Sequence, residues 1–199
     1  VQIGDDLIGN ISDRAGTSLD LSGDGDVLAI VNPRLDGDGH VSIYEYKDWS
    51  WQQIGTNIAS DVYGDTPSDV ALSFYGDLIA ISSITIEETV KVQIFKRSDA
   101  DEWVKIGADI TGVSEVGSTV SSISISSDGT IVAVGSPGDF GVDSSGYVRI
   151  YQLNEGQWDQ LGASITGEAA GDQSGVVSLS SDGRTLAIGA SHNDGSSSN

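Results

Sequence analysis

The chain has 199 residues, with 30 acidic side chains against 9 basic ones and a formal net charge of −21. A field of that sign repels phosphate backbones, and no stretch approaches the roughly 20 consecutive apolar residues of a membrane-spanning helix, so we expect neither nucleic-acid binding nor membrane insertion. The sequence has no cysteine, which excludes disulfides and thiolate zinc sites and leaves oxygen ligands for hard cations such as calcium.

A sequence repeat of about 50 residues runs through the chain, a period typical of propeller blades and repeat arrays. One phrase, Trp-x-x-Ile/Leu-Gly, begins at Trp51, Trp103 and Trp158 and is similar to the opening Val1-Gln-Ile-Gly4. The predicted repeats are 1–50, 51–102, 103–157 and an incomplete 158–199.

Each repeat predicts four short strands, because β-branched and apolar residues alternate between clusters of Gly, Asp and Ser. Asp-Gly pairs at 24–25, 128–129 and 182–183 predict a two-residue primed turn between two of these strands, with Tyr75-Gly76 as a weaker variant. The predicted fold is all-β, a β-propeller segment of about four four-stranded antiparallel blades, the last incomplete.

Two stretches carry a resemblance to known repeat families: the run 177–190, VSLSSDGRTLAIGA, and the stretch 135–151. They resemble FG-GAP repeats of the integrin α-chain type, and the strand order is similar to WD40 blades. The resemblance implies that Val-Ser-Leu-Ser is the innermost strand, Leu-Ala-Ile-Gly the second, Val-Arg-Ile-Tyr the third and the Trp phrase the outermost. It also implies a setting such as the large secreted proteins of marine microalgae.

The strand order bears on ring size. The chain starts on an outermost strand and stops before the fourth repeat's third strand, so closing a four-bladed ring would leave a strand edge unpaired. The absence of methionine also indicates a processed chain or an excerpt. We therefore expect a segment of a ring of about 6–8 blades, with the remaining blades supplied by a longer chain.

Loops that join the outermost strand to the next innermost one, and the second strand to the third, emerge on the same side, which we call the long-loop face. This face is predicted to carry 14 acidic residues and two basic residues, Arg14 and Arg34. A face of this kind attracts cations or basic partners, and the alternative is a solvated surface that keeps the protein soluble. The acids are Asp13, Asp36, Asp38, Asp61, Asp65, Asp69, Glu87, Glu88, Glu115, Asp139, Asp143, Glu168, Asp172 and Asp194.

Calcium is the predicted metal. Asp20, Ser22, Asp24 and Asp26 approximate the D-x-[DN]-x-[DN]-G loop, in which alternating oxygen ligands converge around a sharp glycine turn. The FG-GAP resemblance implies such a loop at this hairpin, whereas the plain alternative is an Asp-Gly turn without metal. Asp139 and Asp143, which flank a glycine, form a second candidate.

Other residues invite a functional interpretation. The three recurring tryptophans are expected to pack between blades, because they share one place in the repeat, whereas Trp49 is outside that register and is expected to be exposed. His40 is expected to be partly buried at the start of a third strand, and His192 to lie in a loop. Asn10 begins a glycosylation sequon in a predicted surface loop.

No Gly-x-Ser-x-Gly elbow, His-Glu-x-x-His pair or phosphate loop occurs in the sequence. We therefore predict a non-catalytic scaffold, extracellular or at the cell surface, for protein or glycan contacts such as those of adhesion. One alternative is a polysaccharide-active enzyme with paired carboxylates at the ring centre, and another is a subunit of an extracellular filament. The second repeat departs from the others at Tyr75, 85–88 and Lys91, which indicates decay or an interface.

Overall fold

The computed structural model describes residues 2–34, 39–111, 122–137 and 145–193. These residues form strands β1 to β16 and no helix, so none of their elements is a helix long and apolar enough to cross a membrane. The strands make four antiparallel sheets, which we call blades 1 to 4. The predicted all-β class is confirmed.

The strands of each blade follow one another along the chain. Blade 1 contains β1 (Leu19–Leu21), β2 (Val27–Asn32), β3 (His40–Lys47), β4 (Ser50–Gln53) and β5 (Ile58–Ala59). Blade 2 contains β6 (Thr66–Leu72), β7 (Leu78–Ile84), β8 (Val90–Arg97) and β9 (Trp103–Lys105). Blade 3 contains β10 (Ser122–Ile125), β11 (Ile131–Ser136), β12 (Tyr147–Asn154), β13 (Gln157–Gln160) and β14 (Ile165–Thr166), and blade 4 contains β15 (Ser174–Leu179) and β16 (Leu186–Ala190).

The order of strands within each blade is the predicted one. In blades 1 to 3 the order runs β1-β2-β3-β4, β6-β7-β8-β9 and β10-β11-β12-β13. Successive blades pack through their first strands, since β1 and β2 contact β6, β6 and β7 contact β10, and β10 and β11 contact β15. The strands predicted as innermost therefore lie where the blades meet.

Apolar cores lie between blades rather than within one. Val31 and Ile43 of blade 1 share a cluster with Ile81 of blade 2, and Val92 of blade 2 shares one with Val134 of blade 3. A smaller cluster joins Val177 of blade 4 to blade 3. Blade 2 is covered on both faces, which explains why β7 is buried at six consecutive positions, Leu78 to Ser83, rather than at alternating ones.

The sequence repeat and the sheet are offset by one strand. Each Trp phrase forms the outermost strand in the path of the preceding blade, because β4, β9 and β13 pair with β3, β8 and β12. The opening phrase differs from the prediction, since Gln2 and Ile3 form no strand. Within the described ranges blade 4 consists of β15 and β16 and has no third strand, so the opening phrase has no strand of that blade to pair with.

Two of the three recurring tryptophans, Trp103 and Trp158, pack between blades as predicted, whereas Trp51 lies against Gly4, which belongs to no strand. The indole of Trp103 lies over Gly55 of the preceding blade and that of Trp158 over Gly107, so that a Cβ on either glycine would sit 3.1 or 3.0 Å from the ring. Both glycines have a positive φ. Trp158 Nε1 also donates to the carbonyl of Ile106 at 3.1 Å. Glycine and tryptophan therefore recur together because the ring needs the space.

Candidate functional site

A Ser-x-Asp-Gly turn joins the first two strands of blades 1, 3 and 4. In blade 1 the Ser22 hydroxyl donates to Asp24 at 2.6 Å and accepts the Val27 N–H at 2.9 Å. The Gly25 N–H closes the turn on the Ser22 carbonyl at 2.9 Å, and glycine rather than aspartate has the positive φ. The predicted two-residue primed turn is therefore wrong: the loop is a longer turn that ends in a left-handed glycine, and the aspartate is needed for its side chain.

The predicted calcium ligands of blade 1 take part in protein contacts. Asp20 lies in β1, where its carboxylate accepts the N–H of Leu72 in blade 2 at 2.7 Å and that of Leu21 at 3.0 Å. Burial raises the pKa of Asp20 despite these hydrogen bonds. Asp24 accepts from Ser22 and from the Asp26 N–H, the latter at 3.2 Å.

Metal binding is untested for all of these residues. Asp139 and Asp143, the second candidate, lie outside the described residues. Within the described ranges no three or more His, Cys, Asp or Glu side chains are grouped so that they could hold a metal ion. Calcium binding stays a prediction.

The contact from Asp20 belongs to a series that links neighbouring innermost strands. Asp69 accepts the N–H of Ile123 in the next blade at 2.9 Å, and Ser124 accepts that of Leu179 at 3.0 Å. Each of these side chains satisfies a backbone donor on the free edge of the next strand. The sequence predicted that Asp69 lies in a long loop, and this prediction is wrong: Asp69 lies within β6 and its carboxylate links blade 2 to blade 3.

Three of the predicted surface acids on the long-loop face are buried. Asp13, Asp65 and Asp172 are 3%, 1% and 4% exposed. Asp13 accepts the Asn10 N–H at 3.1 Å and Asp172 accepts the Ala169 N–H at 2.8 Å, so each caps the turn that precedes it. These carboxylates are structural, and the exposed acidity of the face is carried by others, including Asp61, Glu87, Glu88 and Glu168.

Blade 2 adds a buried cation to this arrangement. The Lys91 ammonium, on a side chain that is 6% exposed, lies 2.6 Å from Asp65 and 2.7 Å from Asp61. Burial alone would lower the pKa of Lys91, but hydrogen bonds to the two carboxylates outweigh it and leave the pKa raised. The same hydrogen bond from Lys91 lowers the pKa of Asp61. Lys91 and Asp61 therefore stay ionised together over a wide pH range. The contacts of Lys91 and Asp65 hold the two loops that contain Asp61 and Ile86.

Those two loops expose large apolar side chains. Val62, Tyr63 and Ile86, which we call the blade 2 patch, are 46%, 75% and 68% exposed. The loops meet there, because the Ile86 N–H donates to Asp65 at 3.2 Å. The sequence argument counted the acids of these loops and overlooked the apolar residues between them.

The remaining sequence candidates lie where they were expected. His40 is half-buried at the start of β3, and burial lowers its pKa. Trp49 is 88% exposed in the turn between β3 and β4. Asn10 and His192 are exposed, and glycosylation of Asn10 stays a prediction.

Comparison with known proteins gives the fold and nothing narrower. No family model and no curated protein matches the chain. Its backbone is similar to the periplasmic gluconolactonase PpgL of Pseudomonas aeruginosa, with a TM-score of 0.62 and 17% identity over 87% of this chain and 50% of that one. It is also similar to TolB of Acinetobacter baumannii, with a TM-score of 0.53 and 14% identity over 88% of this chain and 37% of that one.

The chain thus spans half or less of the length of these two structures. Identities this low show a shared fold and carry no activity from one protein to the other. The resemblance to FG-GAP repeats stays a prediction. What the comparisons establish, together with the four sheets, is that the chain has a β-propeller-like fold.

Proposed function

We propose that the chain is part of a non-catalytic propeller scaffold that binds a protein partner through its long-loop face. The observation that carries this proposal is the blade 2 patch, in which Tyr63 and Ile86 stand in solvent on loops anchored by the buried Lys91 ion pair. Tyrosine and apolar side chains at the centre of a charged rim are typical of protein interfaces.

The anchoring supports a binding role. Asp65, in the loop that contains Tyr63, accepts hydrogen bonds from the Lys91 ammonium and from the Ile86 N–H of the second loop. One carboxylate thus fixes both loops. Ordering a flexible loop on binding costs free energy, about 0.5–1.5 kcal/mol for each immobilised side chain. Loops fixed in advance avoid part of that cost, so a small patch on them binds more tightly than the same residues on a mobile segment.

The carboxylates beside the patch favour binding over hydrolysis. Glycoside hydrolysis needs one carboxylic acid held protonated by a raised pKa and a second carboxylate across the scissile bond. Lys91 stands between Asp61 and Asp65, and it lowers the pKa of Asp61. Both carboxylates are therefore taken up by the lysine, and Asp61, with its lowered pKa, is poorly suited to proton donation.

The proposal includes a place outside the cell or on its surface. It rests on the FG-GAP resemblance, on the net charge of −21 and on the exposed sequon at Asn10. Calcium is retained in the proposal as a stabilising ion and is tested below.

The test uses the natural full-length protein, immobilised and exposed to purified extracellular proteins, to soluble polysaccharides and to gluconolactone. We expect binding to a protein without turnover of any sugar or lactone, and we expect the double variant Tyr63→Ser, Ile86→Ser to lose it. Val104→Ser, which removes an apolar side chain that is 55% exposed on β9, is the matched control. Turnover of a polysaccharide or of gluconolactone by the natural protein would replace the scaffold with an enzyme.

A further inference from the structure

A shallow groove lies at the other end of blade 2. It has a volume of about 360 Å³ and is lined by Phe74, Tyr75, Asp77, Ser127 and Asp128. It runs between the first turns of blades 2 and 3, where the Phe74 N–H donates to the Ser127 carbonyl at 3.0 Å. Turns between first and second strands lie at the end of the sheet opposite the long-loop face, so this groove is separate from the blade 2 patch.

The aromatic pair in this groove is a departure from the repeat. Where blade 2 has Phe74-Tyr75, the other blades have Gly-Asp or Ser-Asp at 23–24, 127–128 and 181–182. The turn does not need the aromatic rings, because Asp77 supplies the missing carboxylate: the Ser73 hydroxyl donates to it at 2.8 Å, and the Leu78 N–H donates to Ser73 at 3.0 Å. The turn network is kept while two aromatic residues are added.

Packing accounts for one ring and leaves the other unexplained. Phe74 lies against Gly23 of blade 1, where a Cβ would come within 2.4 Å of its ring. Tyr75 is 70% exposed and meets Phe74 edge to face, with ring centroids 4.9 Å apart. Tyr75 therefore offers a free ring face to the solvent beside the groove.

The charge of the groove selects the ligand. Its lining includes two carboxylates and no base. The hydrogen bond from the Ser126 hydroxyl makes the largest contribution to lowering the pKa of Asp128. This carboxylate is therefore ionised at neutral pH. An aromatic face next to carboxylates attracts an ammonium or guanidinium group through both the ring quadrupole and the opposite charge.

We propose that this groove binds a lysine- or arginine-bearing segment of a partner protein, with the cation over Tyr75 and between Asp77 and Asp128. Charge complementarity identifies the occupant, since the groove is acidic and the whole chain carries a charge of −21. The site is distinct from the blade 2 patch and does not depend on it.

The test measures the fluorescence anisotropy of a labelled hexalysine peptide with the natural full-length protein at low ionic strength. Because an acidic protein attracts any polycation, the informative variant is Tyr75→Asp, which removes the ring, adds a negative charge and places at this position the aspartate that the other blades have. We expect it to weaken binding about twofold to fivefold, the range for loss of one cation–π contact of about 0.5–1 kcal/mol at an exposed ring. Diffuse attraction predicts the opposite, equal or tighter binding.

Matched controls complete the design. Trp49→Asp replaces an aromatic side chain that is 88% exposed and lies outside the groove lining, and it is expected to leave hexalysine affinity unchanged. Tyr75→Leu, which keeps apolar bulk in the turn, is expected to weaken it. Hexalysine with acetylated side chains is expected not to bind. The proposal is overturned if Tyr75→Asp binds hexalysine as tightly as the natural protein. It is also overturned if hexalysine does not bind at all, or if maltohexaose binds instead and depends on Tyr75.

Discussion

The two ends of the blades follow different rules. At the end with the first turns, blades 1, 3 and 4 repeat one hydrogen-bond network, illustrated by Ser126 and Asp128 at 2.6 Å and by Ser180 and Asp182 at 2.6 Å. At the long-loop end a buried aspartate recurs, but it pairs with a different base in each blade. Asp13 of blade 1 pairs with Arg34, whereas Asp65 of blade 2 pairs with Lys91. The first end is conserved between repeats because it sets the strand geometry, whereas the second tolerates a different contact in each blade.

Of the variants described here, removal of the Lys91 ammonium is expected to cause the largest loss of unfolding free energy. Lys91→Met leaves Asp65, on a side chain that is 2% exposed, as a buried carboxylate without its cation. Breaking a buried ion pair in this way typically costs about 3–5 kcal/mol of unfolding free energy. Urea unfolding of the natural protein and the variant, monitored by tryptophan fluorescence, measures the loss.

Lys105→Met is the control for that experiment. Lys105 pairs with Asp109 at 2.8 Å in the same network, but its side chain is 39% exposed, and surface pairs contribute about 0–1 kcal/mol. Equal losses in the two variants would contradict the structural role of the buried pair.

The pH dependence of stability follows from the same contacts. Because the pKa of Lys91 is raised above its ordinary value of 10.5, its contribution is present below that value and is lost as pH rises through the folded pKa. Because the pKa of Asp61 is lowered from 3.8, its contribution is present above that value and is lost as pH falls through the folded pKa. Lys91→Met should flatten both limbs of the stability profile.

The sequence predicted the regular end of the blades better than the variable end. The strands of each blade and the tryptophan register followed from local patterns that recur in each repeat, the exposure of Trp49 from its place outside that register, and the strand order from the resemblance to WD40 blades. The ion pairs of Lys91 could not be predicted from local patterns, because Asp61 and Asp65 lie in a loop that only the complete fold brings next to Lys91 of β8. One signal was present: Asp13, Asp65 and Asp172 stand 52 and 107 residues apart, close to one and two repeats. Repetition at that period distinguishes a structural carboxylate from a surface one.

At the regular end, the largest expected effect is that of Gly76→Ala. Gly76 has a φ of +65°, and a Cβ there would lie 2.5 Å from the Cβ of Val27 in blade 1. We expect a loss of about 2–5 kcal/mol, because a left-handed alanine costs about 1–2 kcal/mol and overpacking adds about 1–3 kcal/mol.

Gly156→Ala separates those two costs. Its φ is +80°, but nothing lies within 4 Å of the position of its Cβ, so we expect about 1–2 kcal/mol from the backbone alone. The difference between the two variants in urea unfolding measures the packing of one blade's turn on the next. Similar losses would show that the turns are not in close contact.

A smaller effect is expected at the link between innermost strands. Asp20→Ala leaves the Leu72 N–H without the acceptor that it has at 2.7 Å, which should cost about 1–3 kcal/mol. Asp20→Ser should recover part of the loss, because Ser124 accepts the equivalent donor of Leu179 at 3.0 Å. If Asp20→Ala and Asp20→Ser unfold at the same urea concentration, the hydroxyl does not replace the carboxylate and the two links are not equivalent.

The smallest expected effect is that of calcium on the first turn of blade 1. Extracellular calcium modules bind with dissociation constants of about 0.1–1 mM, so about 1 mM calcium would add about 0.4–1.4 kcal/mol to the unfolding free energy. We expect the lower end of this range, because Asp20 and Asp24 already accept protein hydrogen bonds at 2.7 and 2.6 Å. Thermal unfolding with calcium and with chelator measures the increment.

Two variants show whether that increment comes from this turn. Asp24→Asn and Asp182→Asn both disturb a Ser-x-Asp-Gly turn, since each aspartate accepts its serine hydroxyl at 2.6 Å. Only the turn of blade 1 has the further carboxylates of Asp20 and Asp26 beside it. Calcium binding there requires that Asp24→Asn abolish the increment while Asp182→Asn keeps it. An increment that survives both variants would place the ion elsewhere on the acidic surface, and no increment in the natural protein would leave this turn as a hydrogen-bonded hairpin like those of blades 3 and 4.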